Sequence, residues 1–298
     1  MKVAIFGITG YLGVELIKIL SKRQDVEIVY TATSKESRGE LRNASVALLA
    51  LREKESLHLV PELLSSGIKV IDLSGAYRLK NPDSYLQYYG WRHPHRELLD
   101  EAVYGLPENN REDIRQARLI ANPGCYSTAI NLGLRPLIRA GLISKSSKIM
   151  IKAVSGYTGG GKEARIPKNI TPYKGGRQHQ HIPETEQELG VENQLLFYPQ
   201  VAPWPRGIQV VIRSKISTAI DIGRLYKDYY SREIFTVVKS SNIAVDDVIK
   251  TNFCYIFPRC QDSFINVKVV IDNLMKGGAG QAIQNLNIIS GLPDNLGL

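Results

Sequence analysis

The chain has 298 residues, 43% of them hydrophobic and 22% charged, which is enough apolar material for one large or two ordinary domains. Its formal net charge of +9 points to anionic partners. The Lys and Arg are spread along the chain with no DNA-binding motif, so phosphorylated small molecules are expected and nucleic acid is not. No apolar run reaches the ~18 residues of a membrane span, and the N-terminus shows no signal-peptide pattern. No membrane partner and a cytoplasmic location are the default expectations. The cysteines, Cys125, Cys254 and Cys260, are too sparse for a disulfide framework and fit no metal-ligand spacing, so no metal is expected.

Lys2–Phe6 is a short apolar strand that runs into Gly7-Ile8-Thr9-Gly10-Tyr11-Leu12-Gly13. Val14–Leu20 then reads as an amphipathic helix and Val26–Tyr30 as a second strand. Strand, glycine-rich turn, helix and strand within about 30 residues form the frame of a dinucleotide fingerprint, here spaced G-x-x-G-x-x-G. Gly7, Thr9, Gly10, Tyr11, Leu12 and Gly13 are the expected cofactor contacts, with a pyrophosphate on the helix N-terminus. An ordinary tight strand–helix turn is the competing reading. After the second strand the chain reads Thr31-Ala32-Thr33-Ser34-Lys35-Glu36-Ser37-Arg38. Ser34, Lys35 and Arg38 suit a 2′-phosphate, so NADP(H) is expected over NAD(H), with Glu36 dissenting.

Ser45–Leu51 reads as a buried strand, Leu57–Leu64 as a helix with Gly67 near its cap, and Lys69–Ser74 as a further strand. The stretch 81–118 reads as irregular and polar, with Tyr85, Tyr88, Tyr89 and Trp91 packing a loop. Arg118–Ala121 is a strand that delivers Asn122-Pro123-Gly124-Cys125 to its own end. Ile130, Leu134, Leu137 and Ile138 then recur at helical spacing, which puts Cys125 at a helix N-terminus. After Gly141 the pattern shifts to strands at 148–154, 195–198, 208–215 and 265–271, several alternating apolar with polar, before a closing helix carrying Ala282, Ile283, Leu286 and Ile289. The fold class is α/β. An N-terminal Rossmann-type doubly wound parallel sheet is expected, followed by an α+β domain with a mixed or antiparallel sheet.

A free thiol has a pKa of about 8.5, and the unpaired N–H groups and dipole of a helix start lower it toward a reactive thiolate. The same donors stabilise an oxyanion on a carbonyl that Cys125 attacks. A buried structural cysteine is the alternative. Ser155-Gly156-Tyr157-Thr158-Gly159-Gly160-Gly161-Lys162 is not a P-loop, because its spacing fails; it suits close backbone approach to a ligand or a neighbouring chain. Further on, His179-Gln180-His181-Ile182-Pro183-Glu184 places two histidines at the mouth of a helix, with Glu184 near enough to orient one. His58, His93 and His95 read as surface or packing residues.

Taken together, Gly7–Gly13, Asp72-Leu73-Ser74, Val103-Tyr104-Gly105-Leu106-Pro107-Glu108, Asn122–Tyr126, His179–Glu184 and Asp272-Asn273-Leu274-x-Lys276-Gly277 resemble the N-acetyl-gamma-glutamyl-phosphate reductase family, relatives of aspartate-semialdehyde dehydrogenase. The resemblance runs in order over nearly the whole chain. It implies an NADP-binding domain of residues 1–124 and 274–298 and a catalytic, dimerising domain of residues 125–273. It implies NADPH-dependent reductive dephosphorylation of an acyl phosphate, with Cys125 as nucleophile, His179 as acid–base residue and phosphate as product. His181 stays open as the alternative base. Asn273 matches a cofactor-proximal position, and Ser155, Gly156 and Arg206 are expected to bind substrate. Lys162 and Arg78 are further anion candidates. By the same analogy the protein is a homo-oligomer, a dimer or a tetramer. Two departures stand out: a short Gly39–Ser45 stretch, and Leu51-Arg52-Glu53-Lys54 where relatives carry Leu-Pro, in a loop expected to line the cofactor site. Reductases of a lysine-pathway carrier-bound aminoadipyl phosphate and aspartate-semialdehyde dehydrogenases share the pattern. A non-catalytic NADP(H)-binding sensor is the rival of a different class.

Overall fold

The computed structural model describes residues 1–218 and 220–298. In chain order the elements are β1 (Lys2–Phe6), α1 (Tyr11–Leu20), β2 (Glu27–Ala32), β3 (Ser37–Gly39), β4 (Val46–Leu49), α2 (Glu53–Ser65), β5 (Lys69–Asp72), α3 (Pro82–Tyr89), α4 (Arg96–Glu101), β6 (Val103–Tyr104), α5 (Pro107–Gln116) and β7 (Leu119–Ala121). There follow α6 (Cys125–Arg139), β8 (Ile149–Gly156), β9 (Thr171–Pro172), α7 (His181–Leu189), β10 (Leu195–Ala202), β11 (Ile208–Lys215), α8 (Ile222–Tyr229), β12 (Thr236–Val238), β13 (Cys254–Gln261), β14 (Phe264–Ile271) and α9 (Ala279–Ile289). They fall into two compact units, Met1–Gly124 with Gly278–Leu298, and Cys125–Gly277.

The first unit holds a sheet of order β3-β2-β1-β4-β5-β7-β6, parallel except for the β2–β3 hairpin. Its inner strands are runs of apolar residues, as a sheet covered on both faces requires; all of Val46–Leu49 is buried. β1 pairs with β2 on one side and β4 on the other, so strand order reverses at its carboxyl end, where parallel sheets bind ligands. α9 packs on α1, α5 and β5 with every residue buried. Two of its asparagines tie it down: Asn285 Nδ2 donates to the Gly105 carbonyl at 2.9 Å, and Asn287 Oδ1 accepts from Arg23 Nη1 at 2.6 Å.

The stretch 81–118 is not irregular; it folds into α3, α4, β6 and α5. These elements are too short and too polar for periodicity to reveal them, and the signal lies in their ends. Asn81 Oδ1 accepts from Asp83 N at 3.0 Å, Pro82 opens α3, and Gly90 closes it in the left-handed region at φ 80°. The aromatic residues do pack, around Tyr85, whose ring stacks on Trp91 with centroids 4.9 Å apart and meets His93 at 4.8 Å.

The second unit holds a mixed sheet of order β12-β13-β14-β11-β8-β10-β9. One face, with Ile149, Ile151, Val210, Ile212, Val267 and Val269, is buried, and α6 lies on β11 and β14. The other carries exposed Met150, Tyr198 and Phe264. Pro136 inside α6 removes the N–H that the Leu132 carbonyl would accept. Tyr230 Oη donates to that carbonyl at 2.6 Å, and Tyr226 Oη to the Gly133 carbonyl at 2.5 Å. Sequence patterning passes over β13 because Pro258 interrupts it. The proline is tolerated because β12 pairs only as far as Ile256, leaving β13 an edge strand beyond that point.

Candidate active site

In the first unit β1 ends at Gly7, whose φ of 76° and N–H···O bond to Ala32 (2.8 Å) turn the chain sharply. A Cβ at Gly7 would stand 2.2 Å from the Ala50 carbonyl oxygen, and one at Gly13 would stand 2.2 Å from the Gly7 carbonyl oxygen. Only glycine lets the first turn of α1 abut the strand end this closely. Gly10 is the N-cap and offers no side-chain cap, so the N–H groups over Tyr11, Leu12 and Gly13 present a helix start to an anion, with Thr9 exposed beside them. At the end of β2, Thr33 Oγ1 accepts from Lys35 N (3.1 Å) and Glu36 N (3.0 Å), forming a tight turn that leaves Ser34, Lys35 and Arg38 exposed. The dissenting Glu36 pairs with Arg38 at 3.6 Å. These residues fit a dinucleotide that carries a 2′-phosphate.

Deeper in the same unit, Asp72 is fully buried at the end of β5. It accepts from Ser56 Oγ (2.8 Å) and Ser74 Oγ (2.7 Å), while burial raises its pKa against these bonds. Arg78, weighed above as an anion contact, is buried and braces the unit: Nε donates to the Asn122 carbonyl (2.8 Å) and Nη2 to that of Leu73 (2.9 Å). The Asp72-Leu73-Ser74 motif therefore supports the segment that leads to Cys125.

In the second unit Cys125 is the first residue of α6 and is half-buried. A Cβ at Gly277 would lie 2.8 Å from Cys125 Cβ, so glycine there keeps room at the thiol's base. The next residue, Tyr126, stands edge-on to His179 (5.8 Å), His181 (6.0 Å) and Phe197 (5.2 Å). Its hydroxyl donates to the Gln200 carbonyl at 2.9 Å and bonds with the side chains of Tyr173 and Ser155. Burial pushes Tyr173 up to about 12 and Tyr126 well above the usual tyrosine range; the charge of Cys125 opposes ionisation of both, placing the thiol beside this pair.

His179 is 3% exposed and sits against Tyr126, Tyr173, Phe197 and His181. The His181 backbone N–H donates to His179 Nδ1 at 3.1 Å. In the neutral ring Nδ1 is therefore the acceptor and the proton sits on Nε2. Burial drives the pKa of His179 down to about 2, helped by the charges of His181 and Lys174 and opposed by that of Glu184, which is fully buried in the first turn of α7.

Ser155 and Gly156 end β8, and Gly156 N donates to the Gly207 carbonyl at 2.8 Å. Asn273 Oδ1 accepts from Gly207 N (2.7 Å), and its Nδ2 donates to Thr158 Oγ1 (2.9 Å). Arg206 grips buried Asp272 through Nε (2.9 Å) and Nη2 (3.2 Å). The structure thus ties Ser155–Thr158, Pro205–Gly207 and Asp272–Asn273 into one knot. Within that knot Arg206 and Asn273 are engaged by protein partners. Lys162 is exposed on the adjoining loop. Among the described residues no cluster of three or more His, Cys, Asp or Glu is arranged to hold a metal, and no helix is long and apolar enough to cross a membrane.

His93 is also buried, and burial lowers its pKa to about 4. The unfolded chain protonates both histidines below about pH 6.5, which the native chain resists. Their folded pKa values lie below the unfolded value, so stability is complete above about pH 6.5 and falls as pH drops. The loss is expected to reach up to about 1.4 kcal/mol per pH unit for each histidine. Urea midpoints at pH 7.5 and pH 5 check this, and equal midpoints would contradict it.

Residues 125–273 match the semialdehyde dehydrogenase dimerisation domain, and residues 2–43 and 39–117 match the semialdehyde dehydrogenase NAD binding domain. The chain is 36% identical to an N-acetyl-gamma-glutamyl-phosphate reductase of Dehalococcoides mccartyi, over 100% of this chain and 97% of that protein. It is 37% identical to one from Nitrosomonas eutropha, over 100% and 98%. Among solved structures, aspartate semialdehyde dehydrogenase II from Vibrio cholerae superposes with a TM-score of 0.74 at 19% identity, covering 97% of this chain and 98% of that one. Aspartate semialdehyde dehydrogenase with NADP from Candida albicans gives 0.72 at 15% identity, covering 99% of each. At these identities the solved structures speak for the fold alone.

Proposed function

We propose, for a chain that belongs to the N-acetyl-gamma-glutamyl-phosphate reductase family of semialdehyde dehydrogenases, the NADPH-dependent reductive dephosphorylation of N-acetyl-gamma-glutamyl phosphate to N-acetyl-glutamate 5-semialdehyde, a step of arginine biosynthesis in the cytoplasm. Residues 1–124 with 274–298 act as the NADP-binding domain, and 125–273 as the catalytic and dimerisation domain. The observation that carries the reading is the grouping of Cys125, at the start of α6, with Tyr126, Tyr173 and the buried pair His179–His181.

Cys125 reacts as the thiolate, favoured at a helix start. Its sulfur attacks the acyl carbon, the C–O bond to phosphate breaks with its electron pair, and a thioacyl-enzyme remains. His179 offers Nε2–H to the carbonyl oxygen as negative charge develops there. A histidine kept neutral by burial can serve as such a donor without first being protonated. The charge of Glu184, buried in the first turn of α7, acts on that ring. NADPH, when bound over Gly7–Gly13 with its 2′-phosphate at Ser34, Lys35 and Arg38, supplies the hydride that reduces the acyl carbon. The C–S bond then breaks, the aldehyde leaves, and Cys125 returns as thiolate. Ser155, Gly156 and Arg206 shape the substrate pocket, and Asn273 secures its loops. The exposed sheet face with Met150, Tyr198 and Phe264 is the surface that pairs subunits into a homo-oligomer.

The test runs the reaction in reverse and follows nicotinamide absorbance, with NADP+, inorganic phosphate and either N-acetyl-glutamate semialdehyde or aspartate semialdehyde. Phosphate-dependent reduction of NADP+ with the acetylated substrate is expected. Turnover of aspartate semialdehyde instead would transfer the chain to the other branch. Binding of NADPH without turnover of either would favour a lysine-pathway substrate or a sensor.

A further inference from the structure

The proposed substrate carries a phosphoryl group and a carboxylate, and the cations that sequence weighed for them are largely committed. Arg206 is gripped by Asp272, and Arg78 braces backbone carbonyls. Arg177, which the sequence did not single out, pairs with Glu186 through two bonds of 2.8 Å. Another cation stands in the segment beside His179.

Lys174 lies in Tyr173-Lys174-Gly175-Gly176, a segment pinned on both sides to β10. Tyr173 N donates to the Pro199 carbonyl at 3.2 Å, and Gly176 exchanges bonds with Phe197 at 2.8 and 2.9 Å. Between these anchors Lys174 adopts a φ of 41°, in the left-handed region that non-glycine residues enter at a cost of order 1 kcal/mol. Two glycines follow it, yet the strain falls on the lysine. Its Nζ reaches Gln180 Oε1 at 3.2 Å, which folds the side chain across the segment that contains His179. Tyr173, its neighbour, packs edge-on to His179 at 5.7 Å and bonds to Tyr126, the residue after Cys125. The ammonium is exposed, and its charge reaches the His179 ring.

We infer that Lys174 binds an anionic oxygen of the substrate, from its phosphoryl group or its carboxylate, beside Cys125 and His179. The inference rests on the proposed reaction. It gives the strained backbone a use, because the anchors on β10 hold the ammonium at the site before substrate arrives. An ammonium that contacts an anion contributes on the order of 10- to 100-fold in affinity.

The experiment measures reverse-direction initial rates, varying inorganic phosphate and N-acetyl-glutamate semialdehyde separately, for wild type, Lys174→Met, Lys174→Gly and Lys174→Arg. Lys174→Gly suits the positive φ and so guards against misfolding of the Met variant. Lys227→Met, at an exposed position on α8, controls for loss of a surface charge. The expected result is a KM raised on the order of 10- to 100-fold in the Met and Gly variants, with kcat within about threefold, partial recovery in the Arg variant, and no change in Lys227→Met. A rise in the phosphate KM assigns the contact to the phosphoryl group, and a rise in the semialdehyde KM assigns it to the carboxylate. Both KM values unchanged in an active enzyme, or a fall in kcat alone, would overturn the inference while leaving the proposed reaction standing. An inactive wild type would overturn both.

Discussion

Replacing Cys125 with serine is expected to lower turnover at least ~1,000-fold while leaving the fold and NADPH binding intact. Sulfur and oxygen are close in size, and Cys125 is half-buried at the first position of α6, so the exchange disturbs little packing. The chemistry changes far more. A thiol near a helix start ionises within reach of neutral pH, whereas an alcohol does not. The neutral His179 ring already carries its proton on Nε2, because Nδ1 accepts from the His181 N–H. Circular dichroism and NADPH titration check the first half of the expectation, and steady-state rates check the second. A serine variant with normal turnover would remove the covalent mechanism.

His179→Asn is expected to slow the reaction about 100- to 10,000-fold, and His181→Asn far less. Asparagine places its amide near Nδ1, so it keeps a partner for the His181 N–H and loses the group at Nε2. The variant therefore isolates the donor from the local fold. Glutamine at 179 extends an N–H toward the Nε2 position and is expected to recover part of the loss. If His181→Asn proved the more damaging change, the donor would have to be moved to His181.

Much of this fold was legible in the sequence because its strongest signals are local. β1, the turn through Gly13 and α1 follow from glycine spacing set between apolar runs. The start of α6 follows from a Pro-Gly turn ahead of a helical stripe. What escaped depends on contacts distant in sequence. α3 and α4 are too short to show a periodic stripe, and α3 is held by ring packing around Tyr85. Pro258 hides β13 unless the shortness of β12 is known. At the site, histidine and cysteine announce themselves by type, but cations do not. Arg206 and Arg78 look available until Asp272 and the carbonyls of Asn122 and Leu73 are seen to engage them. Lys174 looks ordinary until its φ and its reach to Gln180 are seen. The tautomer of His179 has no sequence signal at all, since a backbone N–H sets it.

The measurement that bears most directly on the account is mass spectrometry of the protein mixed with N-acetyl-gamma-glutamyl phosphate in the absence of NADPH. With no hydride available, the account predicts one equivalent of phosphate released per active site and an N-acetylglutamyl group on the peptide containing Cys125, discharged when NADPH is added. An enzyme that turns over with NADPH yet forms no such adduct, or forms it on another residue, would contradict the assignment of Cys125 as the nucleophile.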